Sequence, residues 1–193
     1  MFLHDFASIY YRKYIKTAVF TKVIVVGNVG DEPPGWEKSS LDNRRVGVIT
    51  TENSLFKVRS HMCVLTKNEF GRDIDPFTSG YLPKYFLCSS SIFVPPSLSV
   101  FRVDCPKTNY SAMPHLFSNA KMYFPDTGSS VYAGLFAAGY LGYKHIGVYG
   151  FQDEPANFSE HLTYLKSVYS NVYGSTITAL STDSEVESYL HLR

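Results

Sequence analysis

The sequence predicts an α/β fold, a Rossmann-like and mostly parallel sheet flanked by helices. Three observations predict it. Val23-Ile24-Val25-Val26 is a continuous β-branched run closed by Gly27. A run with no polar alternation reads as a strand buried on both faces, which is what parallel sheets require. Short apolar candidates recur along the chain, and helical periodicity appears between the later ones. Strands alternating with helices imply crossover units. Glycines stand where elements stop, with Gly142 and Gly174 directly behind the two longest helical stretches, as left-handed C-caps demand.

Each element has its own justification. Residues 1–20 are aromatic and mildly basic and read as an amphipathic helix packed on the sheet, with membrane-surface docking as the alternative. Strand candidates after Val23–Val26 are Val46–Thr50, Met62–Thr66, Tyr85–Cys88, Val100–Val103, Lys121–Phe124, His145–Tyr149 and Thr176–Leu180. Val131–Leu141 is rich in Ala, Leu and Tyr, and predicts a helix. Ser159–Tyr173 places Leu162, Leu165, Val168 and Tyr169 on one helical face. Asp183–Leu192 predicts a closing helix, with Thr182 or Asp183 as N-cap. Between positions 69 and 118, six prolines and the Ser89-Ser90-Ser91 cluster predict irregular connections. Loops over the carboxyl edge of a parallel sheet are where such folds bind ligands.

Composition bounds the function. The 193 residues suit a single domain spanning 1–193. A hydrophobic fraction of 45% supplies a core and excludes wholesale disorder. The formal net charge of +1 supplies no global basic field, so nucleic acid is not the expected partner. Cys63, Cys88 and Cys105 show no CxxC or Cys/His spacing, so no structural zinc is expected and reduced thiols fit a reducing compartment. There is no signal-like apolar segment and no membrane-spanning run. A cytoplasmic location is expected, with peripheral membrane contact and homo-oligomerisation left open.

Three motifs carry the candidate chemistry. Gly27-Asn28-Val29-Gly30 closes the first strand as a turn suited to a nucleotide or phosphate, although it lacks the third glycine of the dinucleotide fingerprint. Asn53 and Asn68 stand just past the second and third strands, where an amide offers both a donor and an acceptor to ribose hydroxyls or a base edge. Asparagine also favours turns for local reasons. Pro125-Asp126-Thr127-Gly128-Ser129-Ser130 precedes a helix, and a hydroxyl-rich helix N-terminus suits a carboxylate or phosphate, or simply caps the helix through Thr127 or Ser129.

The pairing of VVGNVG near the start with PDTGSS…LGYKHIGVYGF near the end resembles the animal and bacterial sialyltransferases. The resemblance covers about half the chain in two blocks, the later one being the more specific. It implies a sialyltransferase-like variant of the Rossmann-like fold (a GT-A variant) that binds a nucleotide sugar, with a CMP-linked sialic acid favoured. It implies inverting, metal-independent transfer to a glycan or other hydroxyl acceptor. Asn28 and Asn53, with Gly27 and Gly30 in the nucleotide-binding turn, would meet the phosphate and ribose, and Asn68 would be a further donor; Thr127, Gly128, Ser129 and Ser130 would meet cytidine or the donor sugar. The TGSSVY stretch is offset by one residue from the bacterial pattern, which leaves the choice between Ser129 and Ser130 open. The general base of that family is a histidine beyond the last core strand, which here points to His161, with His115 and the carboxylates Asp126 and Asp153 as alternatives. The animal-type HxxxxE motif is absent.

Two further readings compete. A metal-dependent pyrophosphokinase on a related fold would need Asp73 and Asp75 as metal ligands. A nucleotide-binding interaction module with a lost active site would fit the short chain.

Overall fold

The structure is a computed structural model and describes residues 22–30, 46–66, 83, 85–89, 100–103, 129–154 and 158–191. Its centre is a seven-stranded sheet of β1 (Lys22–Val26), β2 (Val46–Thr51), β3 (Met62–Leu65), β4 (Tyr85–Ser89), β5 (Val100–Val103), β6 (His145–Tyr149) and β7 (Thr176–Leu180). The spatial order is β5-β4-β3-β2-β1-β6-β7, and every pairing is parallel. The chain therefore builds outward from β1 to β5, returns across the sheet, and adds β6 and β7 on the opposite side of β1. Seven of the eight predicted strands are present, and the eighth, Lys121–Phe124, lies outside the described residues, as does the predicted helix over 1–20.

Alternation within β1 assigns two cores. Val23 and Val25 join the cluster that also holds Ile49, Met62 and Val64, while Ile24 and Val26 join Val46, Val48 and Leu180 on the other face. The first face is covered by α1 (Ser130–Tyr140) and α2 (Phe158–Val168), and the second by α3 (Asp183–His191) through Val186 and Tyr189. Both faces of β1 are thus dry, which explains why it carries no polar alternation.

Helix α1 is buried along nearly its whole length, from Ser130 to Ala138, so its sequence is apolar all round rather than amphipathic. Small residues let it approach the sheet and α2. A Cβ on Gly134 would fall 2.6 Å from Val25 Cγ1. The helix ends at Leu141, and Gly142 follows at φ 89°, matching the expected stop. Helix α3 starts as a capping box, with Glu185 Oε2 accepting the Ser181 and Thr182 amides at 2.6 and 3.1 Å. The Thr182 hydroxyl accepts the Glu185 amide in return at 3.3 Å, so Thr182 is the cap. These bonds hold the Glu185 carboxyl below its usual range.

The long helix expected over 159–173 differs in its last turn. It is α-helical to Val168 and then widens into a π turn, Tyr169–Tyr173, closed by Gly174 at φ 58°. Tyr169 supplies the reason. Its ring is buried against α1, its hydroxyl donates to Leu135 O at 2.7 Å, and a Cβ on Gly139 would sit 2.4 Å from that hydroxyl. Seating a full tyrosine against a glycine fixes the end of the helix, and π turns accommodate such local constraints.

Gly139→Ala weighs two effects of opposite sign. Alanine gains about 1 kcal/mol of helix propensity, while overpacking a dry contact costs about 1–3 kcal/mol. Tyr169 is anchored at both ring and hydroxyl and has nowhere to retreat, so denaturant unfolding is expected to show net destabilisation by Gly139→Ala.

Candidate functional site

Open parallel sheets bind ligands at the carboxyl ends of the strands, where the strand order reverses. Here the reversal lies between β1 and β6. The Val26-Gly27 peptide ties three strand ends together. Gly27 N–H donates to Tyr149 O at 2.8 Å, and Val26 O accepts the hydroxyls of Ser54 at 2.8 Å and Thr51 at 3.2 Å. A Cβ on Gly27 would lie 2.3 Å from Gly150 O and 2.6 Å from Val131 Cγ2. The end of β1, the end of β6 and the first turn of α1 therefore meet with no room for a side chain.

Gly150 reinforces this approach from the other side. It adopts φ 71°, and a Cβ there would lie 2.6 Å from Asn28 O. Across this seam the Asn28 amide donates to Asp153 Oδ2 at 2.5 Å, joining residues 125 apart in sequence. On the β2 side, Lys57 Nζ donates to Val29 O at 2.8 Å. The turn after β1 is thus held between a carboxylate on one side and an ammonium on the other.

Of the predicted site residues, Gly27, Asn28 and Gly30 lie on this edge. Gly27 is sterically required, whereas a Cβ on Gly30 would meet nothing within 4 Å, so Gly30 leaves the turn open rather than packing it. Ser129 and Ser130 are buried at the start of α1. The Ser129 hydroxyl accepts the Tyr132 amide at 3.0 Å, which makes Ser129 the N-cap and settles the capping choice between Thr127 and Ser129 in its favour. Asn53 falls in a 3-10 turn, Glu52–Ser54, at the end of β2; its side chain is outside the described set. Asn68, His115, Asp126, Thr127 and Gly128 lie outside the described residues, as do Asp73 and Asp75. Among the described residues no group of three or more His, Cys, Asp or Glu side chains could hold a metal ion.

His161 stands in the first turns of α2 and is half-buried. Its ring meets Tyr132 edge-on at 5.9 Å between centroids, and its carbonyl accepts the Tyr132 hydroxyl at 3.2 Å. Phe158 packs on the same tyrosine, and Phe151 stacks on Phe158. This aromatic cluster anchors the start of α2, with His161, on Tyr132 in the first turn of α1. Desolvation lowers the His161 pKa from its usual 6.5, opposed by the neighbouring Glu160, which favours the neutral, proton-accepting ring.

Sequence reasoning missed two polar groups on this edge and one glycine. Glu52 is buried at 2% exposure, and its Oε1 accepts the Thr66 hydroxyl at 2.7 Å together with the Thr66 amide. It thereby clamps the ends of β2 and β3. An acidic residue directly behind the second strand of a Rossmann-like sheet is the available signal for it. Burial, and next the charge of Glu52, push the Cys63 thiol well above its ordinary range, so Cys63 is a core group and not a nucleophile. Lys57 lies in no motif, and Gly150 lies inside the LGYKHIGVYGF stretch with nothing in the sequence to single it out. No helix among the described residues is long and apolar enough to cross a membrane. Neither family models nor curated proteins match the sequence.

Two outcomes follow. Gly27→Ala should destabilise the fold by about 2 kcal/mol or more, read by urea unfolding, whereas Gly30→Ala should be nearly neutral. For His161 the folded state binds fewer protons than the unfolded chain, whose value lies near 6.5. Its contribution to stability is present above that pH and is lost as pH falls through the lowered folded value. His161→Gln should flatten the fall in unfolding free energy as the pH drops below 6.5; an unchanged slope would remove His161 as its source.

Proposed function

We propose that this chain is a sialyltransferase-like glycosyltransferase. It binds a nucleotide sugar, CMP-sialic acid in the first instance, at the β1/β6 seam and transfers the sugar to a hydroxyl acceptor with inversion and without a metal. The observation that carries the reading is the steric one. Gly27 and Gly150 bring the β1 turn, the β6 turn and the N-terminus of α1 together at the topological switch point, where doubly wound folds bind nucleotides. The two sequence blocks that resemble sialyltransferases are the two that meet there.

In this reading the backbone of Gly27–Gly30, the Asn28 amide and the first turn of α1 orient the nucleotide. Asn53, Asn68, Thr127, Gly128 and Ser130 extend the donor site. The acceptor oxygen attacks the anomeric carbon as the bond to the CMP phosphate breaks. The proton of the acceptor hydroxyl passes to a base, for which His161, whose lowered pKa favours the neutral ring, is the first candidate; His115 and Asp126 are the alternatives. Hydrogen-bond donors on the phosphate support the leaving group.

Thermal unfolding in metal-free buffer tests the binding step. CMP at about 100-fold its Kd should stabilise the protein by about 2.7 kcal/mol, and ATP with magnesium should not. Stabilisation only by ATP with magnesium would favour the pyrophosphokinase reading instead. For the base, His161→Ala should slow hydrolysis of CMP-sialic acid at least about 100-fold while leaving CMP affinity nearly intact. Unchanged turnover would exclude His161, and binding with no turnover in the wild type would favour an interaction module.

A further inference from the structure

The Asn28–Asp153 bond specifies which part of a nucleotide this edge recognises, and the inference rests on the nucleotide-binding reading above. The Asn28 amide is the first polar side chain after β1, and one of its N–H groups points at the Asp153 carboxylate at 2.5 Å. A phosphate brought to that amide would meet a carboxylate already seated on it, and like charges repel. Anion binding therefore fits the Lys57 side of the turn, where the ammonium reaches Val29 O at 2.8 Å, and not the Asp153 side. An ionised carboxylate offers about four acceptor sites and no donor, and the bond to Asn28 uses one of them. A pair of neighbouring hydroxyls matches such a group, and the CMP part of the proposed donor carries one such pair, on its ribose. Doubly wound folds read a ribose diol in this way, with a carboxylate at the strand edge.

We infer that Asp153, held in place by Asn28 across the β1/β6 seam, is a specificity-determining residue that accepts the vicinal hydroxyls of the ribose. Asp153 reaches that position because it lies three residues beyond Gly150, whose left-handed φ of 71° turns the chain back over the end of β1. Asp153 is exposed, so its substitution leaves the core untouched. The sequence alone offers Asp153 only as a carboxylate substitute for the base. The geometry gives it a different role, in binding rather than proton transfer.

Calorimetric titration of the full chain with CMP and with 2′-deoxy-CMP, in metal-free buffer, tests the inference. The wild type should bind CMP about tenfold or more tightly than the deoxy compound, the worth of a hydrogen bond to a charged group. Asp153→Ala should weaken CMP, which loses two hydroxyl bonds, more than the deoxy compound, which loses only the 3′-hydroxyl bond, and should leave the two compounds within about threefold of each other. Equal wild-type affinity for the two compounds would overturn the inference and leave the nucleotide site standing. So would tighter binding of both by Asp153→Ala, which would mark the carboxylate as a rival of the phosphate. Absence of binding by either compound to the wild type would overturn the nucleotide reading and this inference together.

Discussion

The Val26-Gly27 peptide is the constraint on which the rest of the structure depends. Its amide completes the ladder to β6, its carbonyl takes two hydroxyls from the end of β2, and its missing side chain admits Gly150 and Val131. Any Cβ at residue 27 would push β6, α1 or both away from β1. The same close approach carries Asn28 to Asp153. Fold and site therefore share one origin, because the contact that closes the sheet at its reversal point also sets the spacing of the polar groups above it.

The chemistry of that edge is asymmetric. Lys57 lies on the β2 side of the turn and Asp153 on the β6 side, so the proposed nucleotide would lie with its anionic end toward β2. Buried polar groups behind the edge are employed in support. Thr51 and Ser54 hold Val26, Glu52 holds Thr66, and Ser129 caps α1. Packed and hydrogen-bonded supports of this kind preorganise a site at little further cost in ordering.

Much of this was legible in the sequence, because the signals were local. The β-branched run at Val23–Val26 and the glycines at 142 and 174 each reflect a constraint met within a few residues. What could not be read arises from contacts between distant residues. The π turn depends on Tyr169 meeting Gly139 across two helices, and the need for glycine at 150 depends on Asn28 and Val29. Ser129 was readable in sequence either as a ligand hydroxyl or as a cap, since the two roles demand the same residue type, and the structure shows it capping α1. Asp153 followed no motif, because its meaning comes from the amide it meets 125 residues away.

The nucleotide site proposed at the β1/β6 seam is open to a direct test. Crystals of the protein grown with CMP test it most directly. One CMP is expected over the carboxyl ends of β1 and β6, its ribose against Asp153 and its phosphate on the Lys57 side of the Asn28-Val29 turn. A CMP bound elsewhere, or lying on this edge with its phosphate on Asp153, would contradict it.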